Sequence, residues 1–323
     1  MIRRIALATG IACAFALPAA VLAQQAFPTK IVRVINPNQP GGNSDIIFRL
    51  LSPKMGEALG QQVVIDYRPG AGGNIGTEMT AKAAPDGYTT LIAAAAFVIN
   101  PSILKSLPFD PIRDFTPLGL IVDTPAALVV HPSLPAKSVK ELIALSRSGR
   151  GQIFFSSSGN GGLGHLSGEL LNALAKTRFI HVPYKGAGPA AVDLVAGHVQ
   201  LSFLSVPAVL PHVQGNRLRM LAQCGEKRFS AIPDVPTMQE AGVAGFVVSS
   251  GFSFLGPAGL PRPIVERLNG ALVQSLRDAG IRKQLIERGA DPIGSTPEQH
   301  ATYIKTEIEK WQRVAAQAGI RPE

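Results

Sequence analysis

Short β-branched runs alternate with stretches of helical hydrophobic period along most of the chain, and this alternation constrains the fold more than any other feature. The apolar runs are KIVRVINP, QQVVIDY, TTLIAAA, AALVVHP, QIFFSSS and LRMLAQC. The helical stretches between them include SDIIFRLLSPKMGEAL, SVKELIALSRS and GHLSGELLNALAK. Strands that alternate with helices at this spacing indicate an α/β protein with mostly parallel sheets.

The C-terminal part of the chain predicts three helices without intervening strands. In RPIVERLNGALVQSLRDAG, Pro263 stands near the start and Gly280 lies past the end. AGIRKQLIERG follows, and a third helix opens at Thr296 with Pro297 as its first helical residue. Proline at the start and glycine beyond the end are the usual punctuation of helices.

The N-terminus predicts export. Arg3 and Arg4 precede an apolar stretch, and Val21-Leu22-Ala23 gives a small-residue cleavage pattern, so we expect a secretory signal peptide over residues 1–23, cleaved near Ala23. Cys13 suggests a lipoprotein site as an alternative, but Gly10 stands where a large aliphatic residue normally precedes such a cysteine. The mature protein is therefore expected to be exported.

Charge and cysteine content narrow the classes of function. Loss of two arginines with the signal lowers the formal charge from +9 to +7 over 300 residues. The chain lacks a run of lysine and arginine with interleaved aromatics, so the charge favours a field that attracts small anions and argues against nucleic acid. Only Cys224 remains after cleavage, which excludes an intramolecular disulfide. A chain of this length commonly divides its core between two domains.

Three glycine-rich loops share one design. NPNQPGGNSD, RPGAGGNIGTE and SSSGNGGLGH each follow a strand and open a helix. A helix N-terminus presents unpaired N–H groups and a favourable dipole, and glycine lets a ligand approach the backbone closely. The loops therefore predict an anion site, although any one of them alone is also a common connection in α/β folds.

Other chemistries find less support in the same loops. Gly159, Gly161 and Gly164 fit the dinucleotide fingerprint, but the next strand ends in Tyr184 and Lys185 where an acidic residue is expected. G-x-S-x-G and the P-loop pattern are absent, and the histidines show no metal-ligand spacing. We therefore predict no cofactor, no metal and no enzymatic activity, and retain as a rival an exported hydrolase that uses Ser158 and His165.

Six ordered motifs carry a resemblance to a known family. They are KIVRVINPNQPGGNSDIIFRLL, YRPGAGGNIGTEMTAKAAPDGYT, INPSILKSLPFDPIRDFTPLGLI, FFSSSGNGGLGHLSGELL, HVPYKGAGPAAVDLVAGHVQLSF and DVPTMQEAGVAGF. In this order they resemble the solute-binding receptors of tripartite tricarboxylate transporters, often called the Bug family. The resemblance covers essentially the whole mature chain.

The resemblance implies a type II periplasmic binding protein fold, with two α/β domains joined by two crossover strands. It places domain 1 in residues 24–125 plus 248–323 and domain 2 in residues 126–247. In the family, backbone amides and hydroxyls of two facing loops hold a carboxylate, with ordered waters. Carried over by motif, the candidate ligand-binding residues are Gln39, Pro40, Gly41, Gly42, Asn43, Ser44, Asp45, Phe97, Ser156, Ser158, Gly159, Asn160, Gly161, Gly162, His165, Tyr184, Lys185 and Ser205.

Asp45 has two interpretations, since an acid beside an anion site looks contradictory. It either orders the P-G-G loop from the first turn of a helix or meets the ammonium group of an amino-acid ligand. Arg49 and Arg68 are interpreted as partners in surface or interdomain salt bridges, and His165 as the donor or acceptor of a structural hydrogen bond.

The sequence departs from the family pattern at two places. Asn38 and Gln39 stand where relatives carry apolar residues, which adds polar groups at the cleft. Gly251-Phe252 stands where relatives commonly show Trp-Tyr, which removes bulk near the crossover. Both departures bear on the identity of the ligand.

The resemblance also implies partners. We expect a small organic carboxylate ligand, the integral membrane permease subunits of a tripartite transporter, and a monomeric receptor. A receptor that presents its ligand to a membrane sensor kinase is an alternative that the sequence does not separate from uptake.

Overall fold

A computed structural model describes residues 27–149, 151–184 and 187–320 of the chain. The predicted signal peptide and Lys185 lie outside these ranges. The first half of the described chain contains β1 (Val32–Asn36), α1 (Asn43–Leu59), β2 (Val63–Tyr67), α2 (Asn74–Ala81), β3 (Thr89–Ala93), α3 (Ala96–Ile103), β4 (Phe115–Val130), α4 (Val139–Arg147) and β5 (Phe154–Ser157). The second half contains α5 (Leu163–Ala175), β6 (Ile180–Pro183), α6 (Ala187–Val195), β7 (Leu201–Ser205), α7 (Val206–Gln214), β8 (Arg219–Gln223), β9 (Ser249–Pro257), α8 (Arg262–Arg277), α9 (Ala279–Glu287), β10 (Asp291–Pro292) and α10 (Pro297–Gln317).

The strands form two mixed sheets that share β4. In the first sheet β2, β1 and β3 run parallel, and β9 pairs antiparallel with both β3 and β4. In the second sheet β6, β5 and β7 run parallel, while β7 and β8 pair antiparallel with β4. The parallel part of each sheet comes from strand and helix alternation, as the sequence pattern predicted.

Strand β4 changes partners at one point in its length. Residues 115–125 pair with β9 in the first sheet, and residues 126–130 pair with β7 and β8 in the second. The segment that leads into β9 crosses back beside this point of β4. Val248 N–H donates to the Cys224 carbonyl at 2.7 Å, and the next residue, Ser249, pairs with Pro125. The two sheets are therefore joined by two segments that lie side by side.

The buried apolar side chains follow this arrangement. One cluster packs α1, α8 and α9 against the first sheet, and another packs α6 and α7 against the second. A third cluster extends across both sheets and includes Leu91, Leu128, Phe155 and the fully buried Trp311 of α10. Within the described ranges, no helix is long and apolar enough to cross a membrane.

The C-terminal helices begin largely where the sequence predicted. Thr296 and Gln299 form a reciprocal capping box, and Pro297 is the first residue of α10. The preceding boundary differs, because α8 ends at Arg277 and Gly280 lies inside α9. The reason is Asp278, whose extended backbone ends α8 and whose side chain accepts from Ile281 N–H to begin α9.

Helix α10 compensates for the missing bulk at Gly251. A Cβ at this position would lie 2.3 Å from the Tyr303 hydroxyl oxygen and 2.9 Å from Leu120 Cδ1. Tyr303 therefore occupies the space beside the crossover that a larger residue at position 251 would fill.

His300 joins α10 to both long strands. Its Nδ1 accepts from Gly119 N–H of β4 at 3.1 Å, and its Nε2 lies 2.8 Å from the Ser253 hydroxyl of β9. The imidazole is fully buried, and burial lowers its pKa to about 3. The neutral ring thus satisfies two polar groups that are away from water.

We predict that His300→Ala lowers the free energy of unfolding by about 2–4 kcal/mol, because it leaves two buried polar groups without partners. Urea unfolding at pH 7 measures the change. His198→Ala, at an exposed histidine, is the matched control and should cost less than about 0.5 kcal/mol. Equal stability of the two variants would contradict this role.

Candidate functional site

The carboxylate of Asp45 holds the loop between β1 and α1. Its Oδ2 accepts from Gly41 N–H at 2.7 Å, and its Oδ1 accepts from Arg49 Nε at 2.6 Å and from the Tyr67 hydroxyl at 2.5 Å. Burial alone would raise the pKa of Asp45, but hydrogen bonds from Tyr67, Gly41 and Arg49 outweigh it, and the pKa is lowered. Both oxygens are occupied, which supports the interpretation that Asp45 orders the loop.

A second set of polar contacts lies inside the same loop. The Ser44 hydroxyl donates to Asn36 Oδ1 at 3.0 Å and accepts from Asn38 Nδ2 at 3.2 Å. Ser44 is buried, so its hydroxyl orders the loop, whereas Gln39, Pro40, Gly41 and Asn43 are exposed. The unusual Asn38 therefore acts at least partly on its own loop.

These contacts decide which N–H groups of the first loop remain free. Gly41 N–H goes to Asp45, and Gly42 N–H points to the Gln39 carbonyl at 3.4 Å. Helix α1 begins at Asn43, and its first N–H groups have no partner within the helix. The groups available to an anion are thus those of residues 43–45, and not those of the two glycines that the motif suggested.

The second loop, residues 156–162, is held by a histidine in the same way. Gly161 N–H donates to His165 Nδ1 at 3.0 Å, and Gly159 N–H donates to the Ser157 hydroxyl at 3.2 Å. The N–H groups of the first turn of α5, beginning at Leu163, have no partner within the helix. His165 thus has the structural hydrogen bond that the sequence predicted.

His165 itself is stacked on a second histidine. The rings of His165 and His181 lie 3.8 Å apart with an interplanar angle of 8°, and Phe155 packs 4.9 Å from His181. His181 Nε2 lies 2.6 Å from the Ser157 hydroxyl. Burial lowers the pKa of both rings, and that of His181 falls to about 4. Two neutral imidazoles therefore support the second loop, His165 through Gly161 and His181 through Ser157.

Ser157, His181 and Tyr67 are site residues that the sequence motifs did not predict. His181 stands opposite Phe155 in the parallel pairing of β5 with β6, and this register is a property of the sheet. Tyr67 reaches Asp45 from the end of β2, the strand beside β1. Tyr67 and Ser157 are the last residues of β2 and β5, and this position at the carboxyl end of a parallel strand could have indicated them. His181 is the second residue of β6, and no signal of this kind marks it.

The serine and histidine arrangement argues against a nucleophile. Ser158 is exposed, and His165 Nδ1 is already bonded to Gly161 N–H. In the second loop Ser157 pairs with His181 instead, and Ser157 is fully buried. Among the described residues, no group of three or more His, Cys, Asp or Glu side chains is placed to hold a metal ion.

The remaining candidate residues lie at different depths. Ser156 is buried and donates to the Ala190 carbonyl, so its hydroxyl points into the fold. Phe97 packs against Phe109 and Phe115 in the core, and the Tyr184 hydroxyl donates to Asp193 at 2.7 Å. Ser205 ends β7 immediately before α7.

The cavities show which loops come together. A cavity of about 390 Å³ lies between the second loop and α3. It is also lined by Ala71 and Gly72 of the glycine-rich loop RPGAGGNIGTE, which follows β2. A much smaller cavity of about 20 Å³ contains Asn38 and Phe97 and shares Gly72, Ala96 and Asn100 with the larger one. The larger cavity therefore brings the loop RPGAGGNIGTE and the second loop together, while Asn38 of the first loop borders only the small cavity.

Two further cavities lie away from these loops. One measures about 470 Å³ and is formed by the end of α1 and the edge strand β2. The other measures about 390 Å³ and lies between α1 and the end of α8. The cavity between α3 and the second loop is the better candidate, since it lies beside the free N–H groups of α5.

We predict that Asp45→Asn lowers the free energy of unfolding by about 2 kcal/mol, because three hydrogen bonds lose their charged acceptor. Hydrogen exchange should accelerate at Gly41 N–H. Asp66→Asn is the matched control, because Asp66 forms only ion pairs with the exposed Arg33 and Arg68, and it should cost less than about 1 kcal/mol. Unchanged exchange at Gly41 would contradict the role given to Asp45.

The pair of His165 and His181 makes the stability of the fold depend on pH. Because the pKa of His181 in the folded protein is about 4, below its ordinary value, its contribution to stability is complete above about pH 6.5 and is lost as the pH falls towards 4. We predict that His181→Asn flattens the loss of stability between pH 6.5 and 4, whereas the exposed control His198→Asn does not. Parallel pH profiles for both variants and the unaltered protein would show that His181 is not the group responsible.

Known proteins are similar to this chain in sequence and in fold. Residues 47–320 match the family described as "Tripartite tricarboxylate transporter family receptor". Protein BugT of Bordetella pertussis is 35% identical over 314 residues, which cover 97% of this chain and 96% of BugT.

Solved structures of related proteins have the same fold. "R. palustris Rpa4515 with adipate" is 36% identical with a TM-score of 0.79, over 92% of this chain and 100% of that chain. MatC from Rhodopseudomonas palustris, with bound malate, is 32% identical with a TM-score of 0.71, over 89% of this chain and 99% of that chain. The predicted fold class, a type II periplasmic binding protein fold, is confirmed. The chain belongs to the receptor family of tripartite tricarboxylate transporters.

Proposed function

We propose that this protein is an exported, monomeric solute-binding protein that captures a small organic carboxylate between its two domains. The observation that carries the proposal is the pair of helix N-termini at α1 and α5, each preceded by a loop that one of its own side chains holds in place. Asp45 orders the first loop and His165 the second. Relatives solved with adipate and malate support a carboxylate as the ligand.

The proposed mechanism is domain closure over the ligand. N–H groups at the start of one helix receive the carboxylate, and the other domain closes to complete the hydrogen bonds. Charge-assisted hydrogen bonds are about twice as strong as neutral ones, and the removal of water on closure strengthens them further. We propose domain limits of residues 24–125 plus 248–323 and residues 126–247, because β4 changes partners after residue 125.

The proposed ligand contacts are the free N–H groups of residues 43–45 and those at the start of α5. Asn160 and the exposed Ser158 contribute side chains, and Tyr184 and Ser205 belong to the wall of the second domain. Asp45, Ser44 and His165 act through the loops that they hold, since their side chains are engaged there.

A thermal-shift screen with carboxylates tests the proposal. We expect di- and tricarboxylates, aromatic carboxylates or acidic amino acids to raise the melting temperature, because a ligand at a hundred times its dissociation constant stabilises the native state by about 2.7 kcal/mol. The neutral amide of each active acid is the control and should give no shift. No shift with any organic anion would contradict the proposal.

The proposed partners are the membrane permease subunits of a tripartite transporter, as the description of the family indicates. If deletion of these subunits abolishes uptake of the ligand in the native host, the receptor serves transport. Continued uptake, with loss of a transcriptional response in the absence of the receptor, would favour presentation to a sensor kinase.

The proposed role has no catalytic step. We expect purified protein to leave ester and amide substrates intact, since Ser157, the serine of the second loop that pairs with a histidine, is fully buried. Turnover that Ser158→Ala abolishes would establish the rival hydrolase.

A further inference from the structure

The cavity between α3 and the second loop has an apolar wall. One side of the cavity is lined by Ile99 and Ile103 of α3 and by Leu104, the residue that follows this helix. The other side is lined by Leu163 at the start of α5. A Cβ at Gly161 would lie 2.5 Å from Ile103 Cδ1, so α3 and the second loop are in close contact beside the cavity. Apolar side chains from both domains therefore face the same space.

The polar groups of the cavity are few. Asn100 Nδ2 donates to Asn74 Oδ1 at 3.0 Å, which pairs it inside its own domain. Asn160 is the other lining residue with a polar side chain, and it is exposed. None of the described residues that line this cavity carries a charge. The cavity thus offers N–H groups at the start of α5 and, at Ala95 and Ala96, at the start of α3, and apolar side chains along the rest of α3.

We infer that the cleft selects a monocarboxylate with an uncharged, apolar distal part, a short alkyl chain or an aromatic ring, over a dicarboxylate of the same length. The inference rests on the proposed function. A second carboxylate placed along α3 beyond its first turn would lose its hydration and meet no cation among the described lining residues, which is unfavourable. An apolar group there would instead gain from leaving water.

The volume of the cavity suits such a group. Apolar protein cavities of about 150 Å³ accommodate benzene, and this cavity measures about 390 Å³. It therefore has room for a ring or for the methylene chain of a six-carbon acid, with one end at the start of α5.

Hexanoate and adipate form the matched pair for the test, because they differ only in a distal methyl or carboxylate group. We expect calorimetric titration of the mature chain to give at least ten-fold tighter binding of hexanoate. In the series butanoate, pentanoate and hexanoate, each added methylene should tighten binding about four-fold, as burial of one CH₂ implies. Equal or tighter binding of adipate would overturn the inference.

A variant tests whether this wall carries the preference. Leu104→Lys places a cation on the wall, and we expect it to shift the ratio of hexanoate to adipate affinity at least ten-fold towards adipate. Ile31→Lys makes the matched change at an exposed residue just before β1, at the end of that strand remote from the first loop, and should leave the ratio unchanged. If Leu104→Lys does not fold, Ala96→Lys at the exposed first residue of α3 replaces it.

The outcomes separate the two proposals. An unchanged ratio in a folded Leu104→Lys or Ala96→Lys variant would overturn the inference, because the distal part of the ligand would then lie elsewhere. Tight binding of adipate with weak binding of hexanoate would overturn the inference and leave the proposed function standing. Failure of every carboxylate to bind would overturn the proposed function, and the inference with it.

Discussion

Strand β4 is the element on which the two-domain arrangement depends. Its 16 residues pair first with β9 and then with β7 and β8, so one continuous strand belongs to both sheets. Helix α10 supports this strand, since buried His300 binds Gly119 N–H and Tyr303 fills the space beside Gly251. These contacts of α10 fix the part of the chain through which the two sheets are joined.

The loops that precede α1 and α5 are built on a common principle. In each, an ionisable side chain in the first turn of the following helix accepts an N–H group of a glycine four residues earlier: Asp45 binds Gly41, and His165 binds Gly161. Burial opposes the charged form of both side chains. Hydrogen bonds from Tyr67, Gly41 and Arg49 nevertheless lower the pKa of Asp45 and keep it ionised. Burial lowers the pKa of His165, which favours its neutral form in the stack with His181. The glycines shape the loop, and the helix termini behind them present the free donors.

Much of this could be predicted from residue patterns. The alternation of strands and helices, the capping box at Thr296 and the three glycine-rich loops are local, because hydrophobic period, caps and turns depend on neighbouring residues. The family motifs added the fold class. The occupancy of each N–H group could not be predicted, because it depends on side chains such as Tyr67 and His181 that come from neighbouring strands.

The sequence by itself determined the α/β class, the family and the positions of the three glycine-rich loops, because these follow from local periodicity and from motifs in a fixed order. Only the tertiary structure decided that Ser44, Asp45 and His165 are turned towards their own loops, and that α3 brings an apolar wall to the second loop. The physical reason is that hydrogen-bond partners and cavity walls are set by strand register and helix packing, which join residues far apart in the chain.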